Sequence, residues 1–302
     1  MIPVGLAAGF VKMPGHATPD LIRSAAAFIT LGAVTEEPRE GNPEPREARW
    51  EDHPDGEAYI NALNLPNTGV QATRSFLPEL SRKVRNAGKT LRVNVTPTRS
   101  GGTKHILQVL GRNPLHAEVE RYEINLACPN HREGNDLHPV LAFDVKAVED
   151  ILVQVVESEV EGEIGIKIAP EMPEDTMRKI CDLAAVFDIT WITSGNTRRI
   201  EVPMIDGCRP LHSSITYCGL SGTPLYKNNL KQVRFLTEYI SQRGYAIKVS
   251  ACGGVMDGLK VIRYQDAGAS ECQVAAAYAI YGPKIFSDIA MDYGELDFMA
   301  KK

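Results

Sequence analysis

The chain has 302 residues, 43% hydrophobic and 24% charged, with a formal net charge of -5. That is the profile of a soluble globular enzyme with a sizeable core. The acidic balance and the lack of a long basic run argue against a nucleic-acid or anionic-membrane surface and leave small-molecule chemistry. The six cysteines, Cys128, Cys181, Cys208, Cys218, Cys252 and Cys272, form no CxxC pair and no metal-ligand spacing. With no secretory signal ahead of them they point to a reducing, cytoplasmic location.

The apolar start, Ile2 to Val11, has no basic region or cleavage site and reads as a buried strand. No apolar run approaches the ~18 residues of a membrane span. From there β-type runs alternate with helical ones. Strands are predicted over Val4–Phe10, Ile29–Thr35, Leu91–Thr96, Tyr122–Cys128, Ile164–Ala169, Ile189–Ser194, Ala246–Ala251 and Glu271–Ala277. Helices are predicted over Pro19–Phe28, Arg74–Asn86, Val145–Glu157, Glu174–Val186 and Asn228–Ser241, where apolar residues recur at three and four. Eight alternations imply parallel strands, and the count favours a single-domain α/β fold, a closed (β/α)8 TIM barrel, over residues 1–302. An open Rossmann sheet is disfavoured because no GxGxxG follows a strand.

Two connections, Glu36 to Gly69 and about Asn196 to Gly222, exceed plain turns. Loops of that length in a compact domain usually carry function or are disordered. Both follow strands, on the face where barrels keep their sites.

Side-chain parity then places the chemistry. In Tyr122-Glu-Ile-Asn-Leu-Ala-Cys-Pro-Asn130, Ile124 and Leu126 share the helix-facing side while Glu123 and Asn125 point inward. Pro129 ends the strand and leaves Cys128 and Asn130 on a loop above Asn125. By the same parity Arg92, Asn94 and Lys167 point inward, and Asn196 lies just beyond the sixth strand. Any one of these could be a satisfied polar group of a barrel interior. Asn94, Asn125, Lys167 and Asn196 together at one rim favour a polar, planar ligand.

Other signals are weaker. Gly219–Gly222 and Gly253-Gly254 read as glycine turns that could hold phosphate through backbone N–H groups. Arg99–Lys104 lacks the glycine spacing of a phosphate loop and reads as a helix start. Cys181 and Cys272 read as buried thiols, and His131 and His138 as surface groups.

Read in order, a set of motifs resembles the dihydroorotate dehydrogenases, FMN-dependent barrel enzymes of pyrimidine synthesis. They are Gly5-Leu-Ala-Ala-Gly-Phe-Val-Lys12, Gly41-Asn-Pro-Glu-Pro-Arg46, Ile60-Asn61 with Leu65-Pro66-Asn67, Asn125-Leu-Ala-Cys-Pro-Asn130, Lys167-Ile-Ala-Pro170, Asn196-Thr197, Gly219-Leu-Ser-Gly222 and Gly253-Gly254. The resemblance implies that Ala8 and Gly9 approach the flavin through their backbone. Lys12 and Lys167 would lie at its ring, Asn94 and Asn125 would hydrogen-bond it, and Gly222, Gly253 and Gly254 would flank its phosphate. Asn61, Asn125, Asn130, Asn196 and Thr197 match positions that grip the pyrimidine and its carboxylate. Cys128 matches the family's base, which takes a proton from C5 as hydride leaves C6.

The features are mixed between classes. Gly-Leu-Ala-Ala-Gly, the Asn94 strand and Lys-Ile-Ala-Pro are similar to the membrane-associated class, whose base is serine, whereas Cys128 is similar to the soluble class. The chain opens directly at a barrel strand, so the expectation is an enzyme that works without a membrane. It would pass electrons to a soluble acceptor or a partner flavoprotein, with dihydroorotate and orotate as ligands and a homo-oligomer as its assembly. Asn64, Cys218, Ala33 and Ala275–Ala277 depart from the family's usual residues. A dihydrouracil-type oxidoreductase and a catalytically retired barrel acting as ligand sensor or scaffold stay open as alternatives.

Overall fold

The computed structural model describes residues 1–111, 119–129, 132–133, 136–137 and 139–300. Eight parallel strands close into a barrel: β1 (Val4–Val11), β2 (Phe28–Val34), β3 (Thr90–Val95), β4 (Arg121–Asn125), β5 (Glu163–Ile168), β6 (Trp191–Ser194), β7 (Lys248–Cys252) and β8 (Glu271–Val274). Each pairs with the next in the chain, and β8 returns to β1. This is the (β/α)8 architecture expected from the alternation.

The crossovers carry α1 (Pro19–Arg23), α2 (Gly69–Asn86), α3 (Gly102–Gly111), α4 (Val145–Ser158), α5 (Glu174–Val186), α6 (Tyr226–Arg243), α7 (Gly258–Asp266), α8 (Ala276–Tyr281) and α9 (Ile285–Ala300). Local signals start several of them. The Asp144 carboxylate accepts from the N–H groups of Lys146 and Ala147 at the head of α4, and Asp257 accepts from Lys260 N at the head of α7.

The first helix is shorter than expected. Its end is set at Ser24, whose hydroxyl donates to Leu21 O at 2.8 Å, and Ala27 N already pairs with Val4 O to open the next strand. The fourth strand likewise ends at Asn125 rather than Cys128. Leu126 and Ala127 leave the alternation and both join the apolar cluster between strands and helices. That cluster includes Leu31, Val93, Ile124, Ile166, Ile192 and Val249 from the strands with Leu77, Ile106, Leu152, Ile180 and Leu236 from the helices. Each such side chain contributes roughly 1.5–3 kcal/mol on burial. Cys181 sits in it as a small hydrophobe, its thiol pushed up to about 12 by burial and, less, by Asp182.

The two ends of the barrel interior differ. Phe28, Arg121, Trp191 and Glu271 open their strands, Arg92 is third in its own, and together they fill the lower end. The Arg92 guanidinium lies 3.5 Å from the Phe28 ring centroid and donates to Glu271 Oε1 at 2.6 Å. A Cβ at Gly165 would stand 2.0 Å from the Trp191 ring, so only glycine lets that ring into the layer. At the upper end the register sets Asn94 beside Glu123, and Lys167 beside both Asn125 and Thr193.

Both long connections fold into a four-stranded antiparallel sheet in the order Arg198–Glu201, Tyr217–Gly222, Ala58–Asn61, Glu47–Trp50. It has its own apolar cluster around Ile60, Leu211, Ile215, Cys218 and Leu220. Gly219–Gly222, expected as a glycine turn, is therefore a strand. Gly219 and Leu220 are paired on both sides and Ser221 and Gly222 on one, with Cys218 and Leu220 buried in that cluster.

Candidate active site

A cavity of about 470 Å³ opens between the upper rim and this sheet. Ala8, Gly9, Lys12, Asn61, Asn94, Asn125, Cys128, Lys167, Asn196, Thr197, Gly222, Gly253 and Gly254 all line it. Eight separate segments supply them, so the convergence belongs to the tertiary fold. Asn130, His131 and His138 lie outside the described residues.

The polar floor is one hydrogen-bonded network. Asn94 Nδ2 donates to Glu123 Oε1 at 2.8 Å, and Thr96 Oγ1 donates to Asn94 Oδ1 at 3.1 Å. Asn125 Nδ2 donates to Thr96 Oγ1, and Asn125 Oδ1 accepts from Ala127 N and Asn196 Nδ2, each at 3.2 Å. Thr197 N donates to Asn196 Oδ1 at 2.7 Å. Lys167 Nζ donates to Gln273 Oε1 at 3.1 Å and stands 3.5 Å from Cys252 Sγ. Burial raises the Cys252 thiol despite the neighbouring lysine, so it is neutral near pH 7.

Cys128 is half-buried on the loop above Asn125. The loop is pinned on both sides: Arg199 Nε donates to Pro129 O and Ala142 N to Leu126 O, each at 2.8 Å. Lys12 lines the same cavity, as do Arg46, Glu44, Glu47 and Tyr59. Burial, and then the Arg46 guanidinium, bring its pKa down to about 8 against the opposing pull of Glu47 and Glu44. Burial and the Glu47 carboxylate keep the Tyr59 phenol protonated.

The residue at 64 explains one sequence departure. Asn64 has φ 56 and Leu65 φ 58, a left-handed pair on the cavity wall. Asparagine tolerates that region better than most residues, and Arg39 Nη2 donates to Asn64 Oδ1 at 3.0 Å.

Sequence reading passed over Gln273 and Cys252, which line the cavity, and Thr193, which links into the floor. Parity could have found Gln273: Cys272 and Val274 on either side of it are in the apolar cluster, which turns the amide inward. Glu123 was placed inward, but with no partner in view.

Residues 1–296 match the family model described as dihydroorotate dehydrogenase. The chain is 26% identical over 304 aligned positions to a dihydroorotate dehydrogenase (quinone) of Pectobacterium atrosepticum, covering 95% of this chain and 82% of that protein. It is 28% identical over 302 positions to one from Chromobacterium violaceum, covering 95% of this chain and 80% of that one. In structure it is similar to DHODH from Eimeria tenella in complex with ferulenol, with a TM-score of 0.79 at 22% identity, covering 99% of this chain and 82% of that one. At that identity the likeness speaks for the fold, and the match over nearly the whole sequence speaks for the family: the chain belongs to the dihydroorotate dehydrogenases.

Proposed function

We propose that this chain oxidises dihydroorotate to orotate with Cys128 as the base and Lys167 as the cation beside the flavin. Family membership itself makes it an FMN-dependent oxidoreductase of dihydroorotate, a step in pyrimidine biosynthesis. The observation that carries the residue roles is the convergence of Cys128, Lys167 and the amides of Asn61, Asn94, Asn125 and Asn196 on one cavity.

The residues present fit FMN. A Cβ built at Gly9, which lines the cavity, meets no protein atom within 4 Å, so the space above that backbone is open. Ala8 and Gly9 would hold the flavin by their backbone, Asn94, Asn125, Lys12 and Lys167 by their side chains, and Gly222, Gly253 and Gly254 at its phosphate. Ala275 and Ala276 border the same cavity and offer backbone rather than hydroxyl groups. When bound, FMN supplies the two-electron acceptor for the substrate.

Neutral amides give donors and acceptors together, which suits a planar imide. Asn61, Asn196, Thr197 and Asn130 would orient the pyrimidine, and Cys128 would take the proton from C5. The acceptor proposed for the second half-reaction is water-soluble, such as fumarate or a partner flavoprotein. Its support is the charged wall of Lys12, Glu44, Arg46 and Glu47. Faster turnover with a quinone in lipid than with any soluble oxidant would overturn that choice.

A general base contributes typically ~10²–10⁴-fold. Cys128→Ala should lose rate by about that factor in anaerobic reduction of bound FMN by dihydroorotate, while keeping FMN and binding orotate. Cys128→Ser should fall between the two. A folded, yellow Cys128→Ala protein that bleaches as fast as the parent in stopped flow removes Cys128 from the mechanism.

A further inference from the structure

Glu123 is completely buried in β4 and does not border the cavity. A buried carboxylate is costly unless its lone pairs are used. Here its Oε1 accepts from Asn94 Nδ2 at 2.8 Å, and its Oε2 accepts from Thr193 Oγ1 and Gln273 Nε2, each at 2.7 Å. Two arms leave it toward the cavity. One runs from Asn94 through Thr96 to Asn125 and Asn196. The other is Gln273, whose Oε1 accepts from Lys167 Nζ at 3.1 Å.

An ionised carboxylate can only accept hydrogen bonds. Asn94 and Gln273 must therefore both turn their NH2 groups to Glu123 and their oxygens away. The hydroxyl of Thr96 and the amide of Asn125 then follow in one direction.

We propose that Glu123 is a positioning residue for this reaction, supplying the counter-charge of Lys167 and fixing which way the amides over the cavity face. The inference rests on the functional reading given above. The electrostatics agree with the geometry. Burial would raise the pKa of Glu123, yet Lys167 and the donors on Thr193 and Gln273 hold it below the ordinary carboxylate range. Burial would lower the pKa of Lys167, yet Cys252 and Glu123 raise it. Near pH 7, where Cys252 is a neutral thiol, Glu123 is the counter-charge.

Glu123→Gln keeps the shape but accepts on one side only, so one arm has to reverse. The asparagine arm is held by backbone donors, Ala127 N on Asn125 Oδ1 and Thr197 N on Asn196 Oδ1. Gln273 is the arm that turns, presenting Nε2 to Lys167. The lysine then loses its acceptor and its counter-charge together, with the Arg92 cation and the Cys252 thiol as its remaining titratable neighbours.

The test compares parent and Glu123→Gln. In apoprotein carrying 13C-labelled lysine, with the signal assigned by Lys167→Met, Lys167 should titrate above the ordinary 10.5 in the parent and at a lower pH in the variant. In holoprotein, measured between the two lysine pKa values, where Lys167 is charged in the parent and neutral in the variant, the midpoint potential of FMN should fall, because Lys167 borders the cavity and Glu123 does not. FMN reduction by dihydroorotate should slow about tenfold, less than on removing the lysine itself. If Glu123→Gln does not fold, Gln273→Met should shift both readouts the same way by less. An unchanged lysine titration and an unchanged potential overturn the proposal. A parent that holds FMN but is not bleached by dihydroorotate overturns the functional reading instead, and the lysine titration still judges Glu123.

Discussion

The lower end of the barrel holds Arg92 and Glu271 in direct contact, with Arg121 3.6 Å from the same carboxylate and the guanidinium over the Phe28 ring. The upper end joins Lys167 to Glu123 through the Gln273 amide. Both are buried, and they differ in what is left over. A direct pair with its own hydrogen bonds spends its charge on itself and becomes structure. A cation joined to its counter-charge through an amide, and facing a cavity, keeps its field for a ligand.

Breaking the lower pair should cost stability and nothing else. Arg92→Met leaves Glu271 buried without its main partner, a loss of about 3–5 kcal/mol in denaturant unfolding. Arg121 should keep the value at the lower end of that range, since it already reaches the carboxylate. FMN reduction per folded molecule should be unchanged. A large fall in that rate would show that the two ends are coupled.

Breaking the upper pair should cost rate. Lys167→Ala removes the cation at the cavity floor, worth on the order of 3 kcal/mol, or ~100-fold, where negative charge develops in a water-poor site. The potential of bound FMN should fall with it. If anaerobic reduction proceeds at the parent rate, Lys167 acts with Arg92 as structure and the contrast between the ends fails.

How much of this the sequence carried depends on distance along the chain. Parity needs only neighbours two residues apart, and it turned Arg92, Asn94, Glu123, Asn125 and Lys167 inward. It could not say that Arg92 meets Glu271, 179 residues away, or that Glu123 meets Gln273, 150 residues away. Those pairings depend on which strands face each other across the barrel. The sheet above the cavity was hidden for the same reason: Ala58–Asn61 pairs with Tyr217–Gly222, a segment from the other long connection. Reading Gly219–Gly222 as a turn followed glycine chemistry, while the burial of Cys218 and Leu220 decided the outcome.

Lys12 gives the smallest and most specific effect, because it is a cavity-lining cation whose neighbours pull in opposite directions. Burial and Arg46 hold its pKa near about 8, against Glu47 and Glu44. The folded value lies below the 10.5 of a free lysine, so the folded apoprotein binds fewer protons than the unfolded chain between those two pH values. Its contribution to apoprotein stability therefore rises with pH across that window, as the cost of burying a charge disappears. Ligand binding should run the other way. On the proposed reading Lys12 lies at the flavin in the cavity that also takes the substrate, so an anionic pyrimidine favours its charged form and binding draws a proton onto Lys12 above about pH 8. With the charged fraction falling about tenfold per pH unit there, orotate should bind about tenfold more weakly at pH 9 than at pH 7. Calorimetry in buffers of different ionisation enthalpy should find proton uptake on binding at pH 9. Lys12→Met removes the inflection that belongs to Lys12 and leaves any that belongs to the ligand itself. Parent and Lys12→Met affinity curves with the same pH dependence would take Lys12 out of ligand recognition and leave Lys167 the cation that matters in the cavity.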